Sequence, residues 1–170
     1  YPLLAMLGVH HLGPNWVLLG LFALLALRAL PALRARVPGG LTWGLMLVAA
    51  VVALVALHDR ELSVRLYPAL MSAAMLLTFG QTIVKPPSMI ERFARLLRPD
   101  LDEGGVRYAR NVTLIWCAFF VVNFGMGVWT ALYADWTFWA LYNGVIAYVA
   151  IAALFFGEFR LRPLFRKDAR

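Results

Sequence analysis

The side chains best suited to hold an anion fall in one stretch: Gln81 and Lys85, then Arg92, Arg95 and Arg98, then Tyr108, Arg110 and Asn111. Amide, ammonium, guanidinium and phenol groups all donate hydrogen bonds to phosphate oxygens. The chemistry they suggest is recognition of a phosphate or an anionic lipid headgroup. The same residues also fit a plainer reading, as cations flanking a membrane span on its cytoplasmic side. Other chemistries lack their residues. Nucleophile elbows, phosphate-binding Gly-rich loops, H-E-x-x-H and paired carboxylates within apolar runs are absent from the sequence. No catalytic residue, cofactor or metal is expected. His10 and His11 are adjacent and would point about 100° apart on a helix, so a metal would need further ligands from Asp59, Glu61 or Asp135. The single cysteine, Cys117, sits in an apolar run and reads as a structural thiol.

These residues must be placed by helices in a membrane. The chain has 170 residues, is 62% hydrophobic and only 15% charged, with mean hydropathy +0.74. A soluble domain is about half apolar and about a quarter charged. The apolar residues come in blocks of the length a bilayer requires, roughly 20 residues as helix. The expected fold is an all-α, polytopic transmembrane bundle of five to six spans, forming a single domain. The spans are placed at 1–9 (partial, its start expected to be missing), 16–30, 41–57, 66–84, 108–132 and 137–159. Pro68 falls in the first turn of the fourth, where proline is tolerated. His58 to Arg65 reads as a charged loop, and Pro99 to Gly105 as another.

Between the fourth and fifth spans lies KPPSMIERFARLLR, residues 85–98. Pro86 and Pro87 stop the preceding helix. Ser88 and Glu91 make an S-x-x-E capping box that starts a new one. At 100° per residue, Met89, Ile90, Phe93, Ala94, Leu96 and Leu97 fill one arc. Ser88, Glu91, Arg92, Arg95 and Arg98 fill the other. Such a helix, 88–98, belongs at a lipid–water interface; a solvated connector packed on protein is the competing reading.

The net charge of +7 would suggest nucleic acid in a soluble protein, but here it follows the spans. Fourteen of the sixteen bases flank the ends of spans two, four and six; only Arg60 and Arg65 fall at the opposite ends. The positive-inside rule puts the 85–110 loop and the C-terminal tail in the cytoplasm. Within the spans Thr78, Asn123 and Asn143 are expected to join helices by hydrogen bonds, and Gly125 and Gly127 to allow a close helix approach. The charge of Glu158 is expected to pair with Arg162. Trp116, Trp129, Trp136, Trp139 and Tyr133 read as interfacial-belt or packing residues.

The segments HDRELSVRLYPAL, GQTIVKPPSMIERFARLL and NVTLIWCAFFVVNFGMGVW, with a short Trp turn and a basic tail after them, make a distinctive order of parts. The chain resembles the bacterial intramembrane septation protein A family. It is still more similar to a related group of uncharacterised inner-membrane proteins whose genes lie near aryl-polyene and lipid synthesis genes. Some of these carry a DNA gyrase label, for which this sequence has no nucleotide-binding or topoisomerase signature. The resemblance implies a bacterial inner membrane and a role in the cell envelope, with no catalytic residues to transfer. Expected partners are anionic membrane lipids and other membrane proteins, with self-association as an option and no nucleic acid. The expected function is non-catalytic support of envelope organisation or lipid synthesis. The alternatives are a transporter or flippase of lipid intermediates, which the lack of mid-membrane charge disfavours, and an enzyme acting on lipid-linked substrates.

Overall fold

A computed structural model describes residues 39–165 together with Leu19, Gly20 and Ala23. The span expected at 1–9, all but those three residues of the span expected at 16–30, the two adjacent histidines, the Arg162 side chain and the tail beyond residue 165 lie outside the described residues. Among those described every regular element is helical: α1 Gly39–Ala56, α2 Arg60–Val84, α3 Met89–Leu97, α4 Glu103–Tyr133, α5 Trp136–Leu141, a π-helical turn Tyr142–Ile146, and α6 Ala147–Phe165. Three helical stretches have the length and apolarity to cross a bilayer: α2, α4, and the run from α5 through the π turn into α6. At a rise of 1.5 Å per residue, α4 with its 31 residues is about 46 Å long, well beyond a hydrocarbon core of roughly 30 Å.

The helix ends differ from expectation in two places, for the same reason. The charged stretch 58–65 is not a loop; the turn is confined to residues 57–59 and α2 begins at Arg60. The Asp59 carboxylate accepts from the Leu62 N–H at 2.9 Å, and Glu61 in the first turn complements the helix dipole. Pro68 consequently lies inside α2, not in its first turn. In the same way Asp102 caps α4 by accepting from the Gly105 N–H at 3.0 Å, so the helix takes in residues 103–105 that read as loop. In both cases a charged first turn resembles a loop in composition while its acids stabilise a helix start.

The core lies where α1, α2 and α5 meet, around Val48, Val52, Val64, Tyr67, Ala74, Ala140 and the fully buried Trp139. The α2–α4 seam is lined with small and hydroxyl side chains: Ala69, Ser72, Thr78 and Thr82 face Thr113, Gly127 and Thr130, all buried. Membrane helices lack a hydrophobic drive toward one another and associate through close packing and interhelical hydrogen bonds, which small polar residues permit. Much of α6 faces outward, with Tyr148, Val149, Phe155 and Phe156 exposed, as befits a lipid-facing surface.

Polar side chains inside the spans satisfy one another. Asn123 Nδ2 donates to Ser72 Oγ at 2.8 Å, Ser72 Oγ donates to the Pro68 carbonyl at 3.1 Å, and the Tyr142 hydroxyl donates to Asn123 Oδ1 at 3.2 Å. Further along the same seam, Asn143 Nδ2 donates to Thr130 Oγ1 at 3.1 Å and to the Trp139 carbonyl at 2.9 Å. Tyr142 and Asn143 open the π turn, so its extra residue lets two consecutive side chains both reach α4. Asn123 and Asn143 thus join helices as expected. Thr78 does not: its hydroxyl donates to the Ala74 carbonyl of its own helix at 2.7 Å.

At the Asp59 end, Arg65 reaches from α2 to the C-terminus of α4. It donates to the Thr130 carbonyl at 2.9 Å and to the Ala134 carbonyl, and its guanidinium lies 5.3 Å from the centre of the Trp136 ring. A cation at those last carbonyls opposes the negative end of the helix dipole. Trp136 donates to Glu61 at 2.7 Å and Trp139 to the Arg65 carbonyl at 2.9 Å. These tryptophans are therefore built into the fold, whereas Trp129 and Tyr133 are exposed.

Candidate functional site

The candidate site is the opposite end of the seam, where α2 stops, the Pro86–Pro87 turn reverses the chain and α3 lies against the start of α4. Helix α3 runs where the sequence places it, with Ser88 as its N-cap. How it is held is not legible in the sequence. The Met89 N–H donates to Thr82 Oγ1 of α2 at 2.9 Å. The Ile90 N–H donates to Thr113 Oγ1 of α4 at 3.3 Å. Each threonine hydroxyl passes its own proton to a carbonyl of its helix, Phe79 at 2.6 Å and Ala109 at 2.8 Å. Two of the orphan donors that every helix start carries are thus satisfied by the two spans beside it.

The helix has three faces rather than two. Glu91, placed on the solvent arc by the wheel, is only 6% exposed and, with Ala94, turns toward the protein. Its carboxylate accepts from the Ser88 N–H at 3.3 Å and from Arg95 Nε at 2.9 Å, with a second contact from Arg95 Nη2 at 2.8 Å. The second face carries Phe93, Leu96 and Leu97, which are 57%, 81% and 79% exposed. The third carries Arg92 and Arg95. A buried carboxylate is tolerable only when paired and hydrogen-bonded, and Arg95, itself exposed, supplies the charge.

The structure divides the eight residues expected to bind an anion. Arg92 Nε donates to the Pro87 carbonyl at 2.9 Å, Arg95 holds Glu91, and the Tyr108 hydroxyl donates to the Glu158 carbonyl at 3.3 Å, tying α4 to α6. The side chains of Gln81, Lys85, Arg98, Arg110 and Asn111 are exposed and have no partner among the described residues. A crevice of about 70 Å³ opens between the three helices, lined by Thr82, Ile83, Pro86, Ser88, Glu91, Val106 and Arg110. Sequence reasoning misses Ser88, Glu91, Thr82 and Thr113 as parts of this site. Only the capping box marks the first two, and nothing in the sequence pairs Thr82 with Thr113. Among the described residues no group of histidine, cysteine and acidic side chains could hold a metal ion. No family model, curated protein or solved structure matches the chain.

Proposed function

We propose that this chain is a multi-pass protein of the bacterial inner membrane, with five to six spans in all. On this reading it binds anionic phospholipid and neighbouring membrane proteins at its α3 end, without catalysis, in support of envelope organisation or lipid synthesis. The observation that carries the reading is the outward row Phe93, Leu96 and Leu97 beside an arginine face on a helix firmly docked to two spans. An apolar row of that size in water would be costly; in the acyl boundary it is stabilising, with the arginines at headgroup level. Lys85, Arg98 and Arg110, without partners among the described residues, extend the same positive collar. The resemblance to septation protein A-like proteins supports the envelope setting. The mutual hydrogen bonding of Ser72, Asn123 and Tyr142 supports a structural use of the mid-span polar groups rather than a transport path.

The test is a pair of spin labels in bilayers, at Phe93 and at Arg95. The first is expected in an oxygen-rich, apolar environment and the second in contact with aqueous reagent. Replacing Arg92, Arg95 and Arg98 by glutamine is expected to weaken retention of phosphatidylglycerol, each charge near an anionic surface contributing about 1 kcal/mol. Equal water exposure at positions 93 and 95 would make α3 a solvated connector and remove the basis of the reading.

A further inference from the structure

The third long apolar helix, from α5 through the π turn into α6, is the least buried of the three. Its outward side carries Leu141, Val145, Tyr148, Ala152 and Phe155, all exposed. They follow one another at intervals of four, three, four and three residues, the heptad spacing that makes a continuous seam along one side of a helix. The inward side carries Asn143 and Ala147, which are buried, and Ile151 and Leu154, which are half-buried. Tyr148 interrupts the apolar seam. It lies twelve residues after Trp136 and ten before Glu158, about 18 Å and about 15 Å along the helix, farther from either end than its side chain reaches. It is 57% exposed, and its hydroxyl has no partner among the described residues. Ser72, Thr78, Asn123, Tyr142 and Asn143, at comparable depth, are all hydrogen-bonded. A hydroxyl surrounded by hydrocarbon is costly without a partner, and a lipid-facing tyrosine ordinarily sits at headgroup level.

We propose that this side of α6 is the seam of a homodimer, in which a second copy lies parallel in the same bilayer and the two Tyr148 hydroxyls hydrogen-bond each other. Copies inserted in one orientation are related by a two-fold axis along the membrane normal, which sets each residue of the seam opposite its own copy at the same depth. A phenol hydroxyl is donor and acceptor at once, so in that arrangement it complements itself, whereas lipid tails offer it neither role. Ala152, one turn further along, is small enough to let the two backbones approach, as helix pairing in a membrane requires. The heptad spacing suits helices crossing at about 20°. The inward side keeps its tie to α4 through Asn143, so pairing needs no rearrangement within the protomer. The inference stands apart from the reading of α3 and uses only the passage of α6 through the bilayer.

The test uses the full chain with its cysteine removed by Cys117→Ala and single cysteines introduced on α6, oxidised in membranes. Val145→Cys and Ala152→Cys are expected to give disulfide-linked dimers, and the inward control Ile151→Cys to stay monomeric. Monomers at both seam positions, or equal crosslinking by Ile151→Cys, overturn the proposal. In mixed micelles, energy transfer between singly labelled copies measures the dissociation constant. Tyr148→Phe, which removes one oxygen atom and leaves the packing, should raise that constant about threefold and no more than about twentyfold, the range for interhelical hydrogen bonds in a membrane protein. Ala152→Leu, which holds the backbones apart at an exposed position, should weaken the dimer as well. A dissociation constant unmoved by Tyr148→Phe removes the hydroxyl pairing that carries the inference and overturns it. A monomer in which position 148 is nonetheless shielded from a lipid-borne quencher would assign the seam to another segment of the same chain, such as 16–30, and overturn it too.

Discussion

Gly127 of α4 meets Ala69 of α2 backbone to backbone: a Cβ at position 127 would lie 3.0 Å from Ala69 Cβ and 3.1 Å from Ala69 Cα. Gly125, two positions earlier, has open space at the same point. The two glycines are alike in sequence and opposite in consequence. Gly127→Ala should push the α2–α4 seam apart at a cost of about 1–3 kcal/mol, the scale of an overpacked interior. Gly125→Ala should be tolerated or slightly stabilising, since alanine is the better helix former by about 1 kcal/mol. Unfolding in mixed micelles measures both; equal effects would mean that the helices do not touch at Ala69.

The threonine clamp on α3 can be released without disturbing charge. Thr82→Val and Thr113→Val are near-isosteric and each leaves one helix-start N–H without its acceptor, at a cost of about 1–3 kcal/mol if the group stays buried. Hydrogen exchange at Met89 and Ile90 should accelerate in the double variant, while the middle of α4 keeps its protection. Unchanged exchange at both amides would show that water or another acceptor serves α3 equally well.

Asn123 and Ser72 should be energetically coupled across the seam. A double-mutant cycle with Ser72→Ala and Asn123→Ala is expected to give about 0.6 kcal/mol, and no more than about 1.7, the range for interhelical hydrogen bonds in a membrane protein. Tyr142→Phe should weaken the same cycle, because its hydroxyl donates to Asn123 Oδ1. Strict additivity would place the asparagine in a structural role that does not depend on Ser72.

The proposed orientation in the membrane rests on the distribution of the bases. Cysteines at Asp59 and Asp135, in the turns at one end of the bundle, should react with an impermeant thiol reagent added outside spheroplasts. A cysteine at Asp102, in the turn at the other end, should not. Labelling at position 102 from outside would overturn the proposed orientation, and with it the proposed cytoplasmic side of α3.

The limits of α3 are readable in the sequence because proline and the capping box act locally, whatever surrounds them. The burial of Glu91 is not, because a helical wheel separates apolar from polar arcs but cannot tell lipid from protein as the neighbour of either. Asp59 and Asp102 are readable in principle: an acid-rich first turn after an aspartate cap is a helix start, and it passes for a loop only when charge is weighed before capping. The π turn leaves no trace in the hydrophobic pattern, since both sides of that helix are apolar. The cations Lys85, Arg98 and Arg110 are legible as a set; which of their neighbours are already engaged by carbonyls of the turn is not.

The two acceptors at the start of α3 belong to helices that arrive at different times. Thr82 has been synthesised before α3, and Thr113 comes after it, 31 positions further along the chain than Thr82. Until both spans stand side by side, Met89 and Ile90 cannot both find their oxygens. The docked position of α3 is therefore a logical conjunction written in hydrogen bonds. The helix settles when the α2–α4 pair has formed, and a chain in which that pair is wrong leaves α3 without its two anchors.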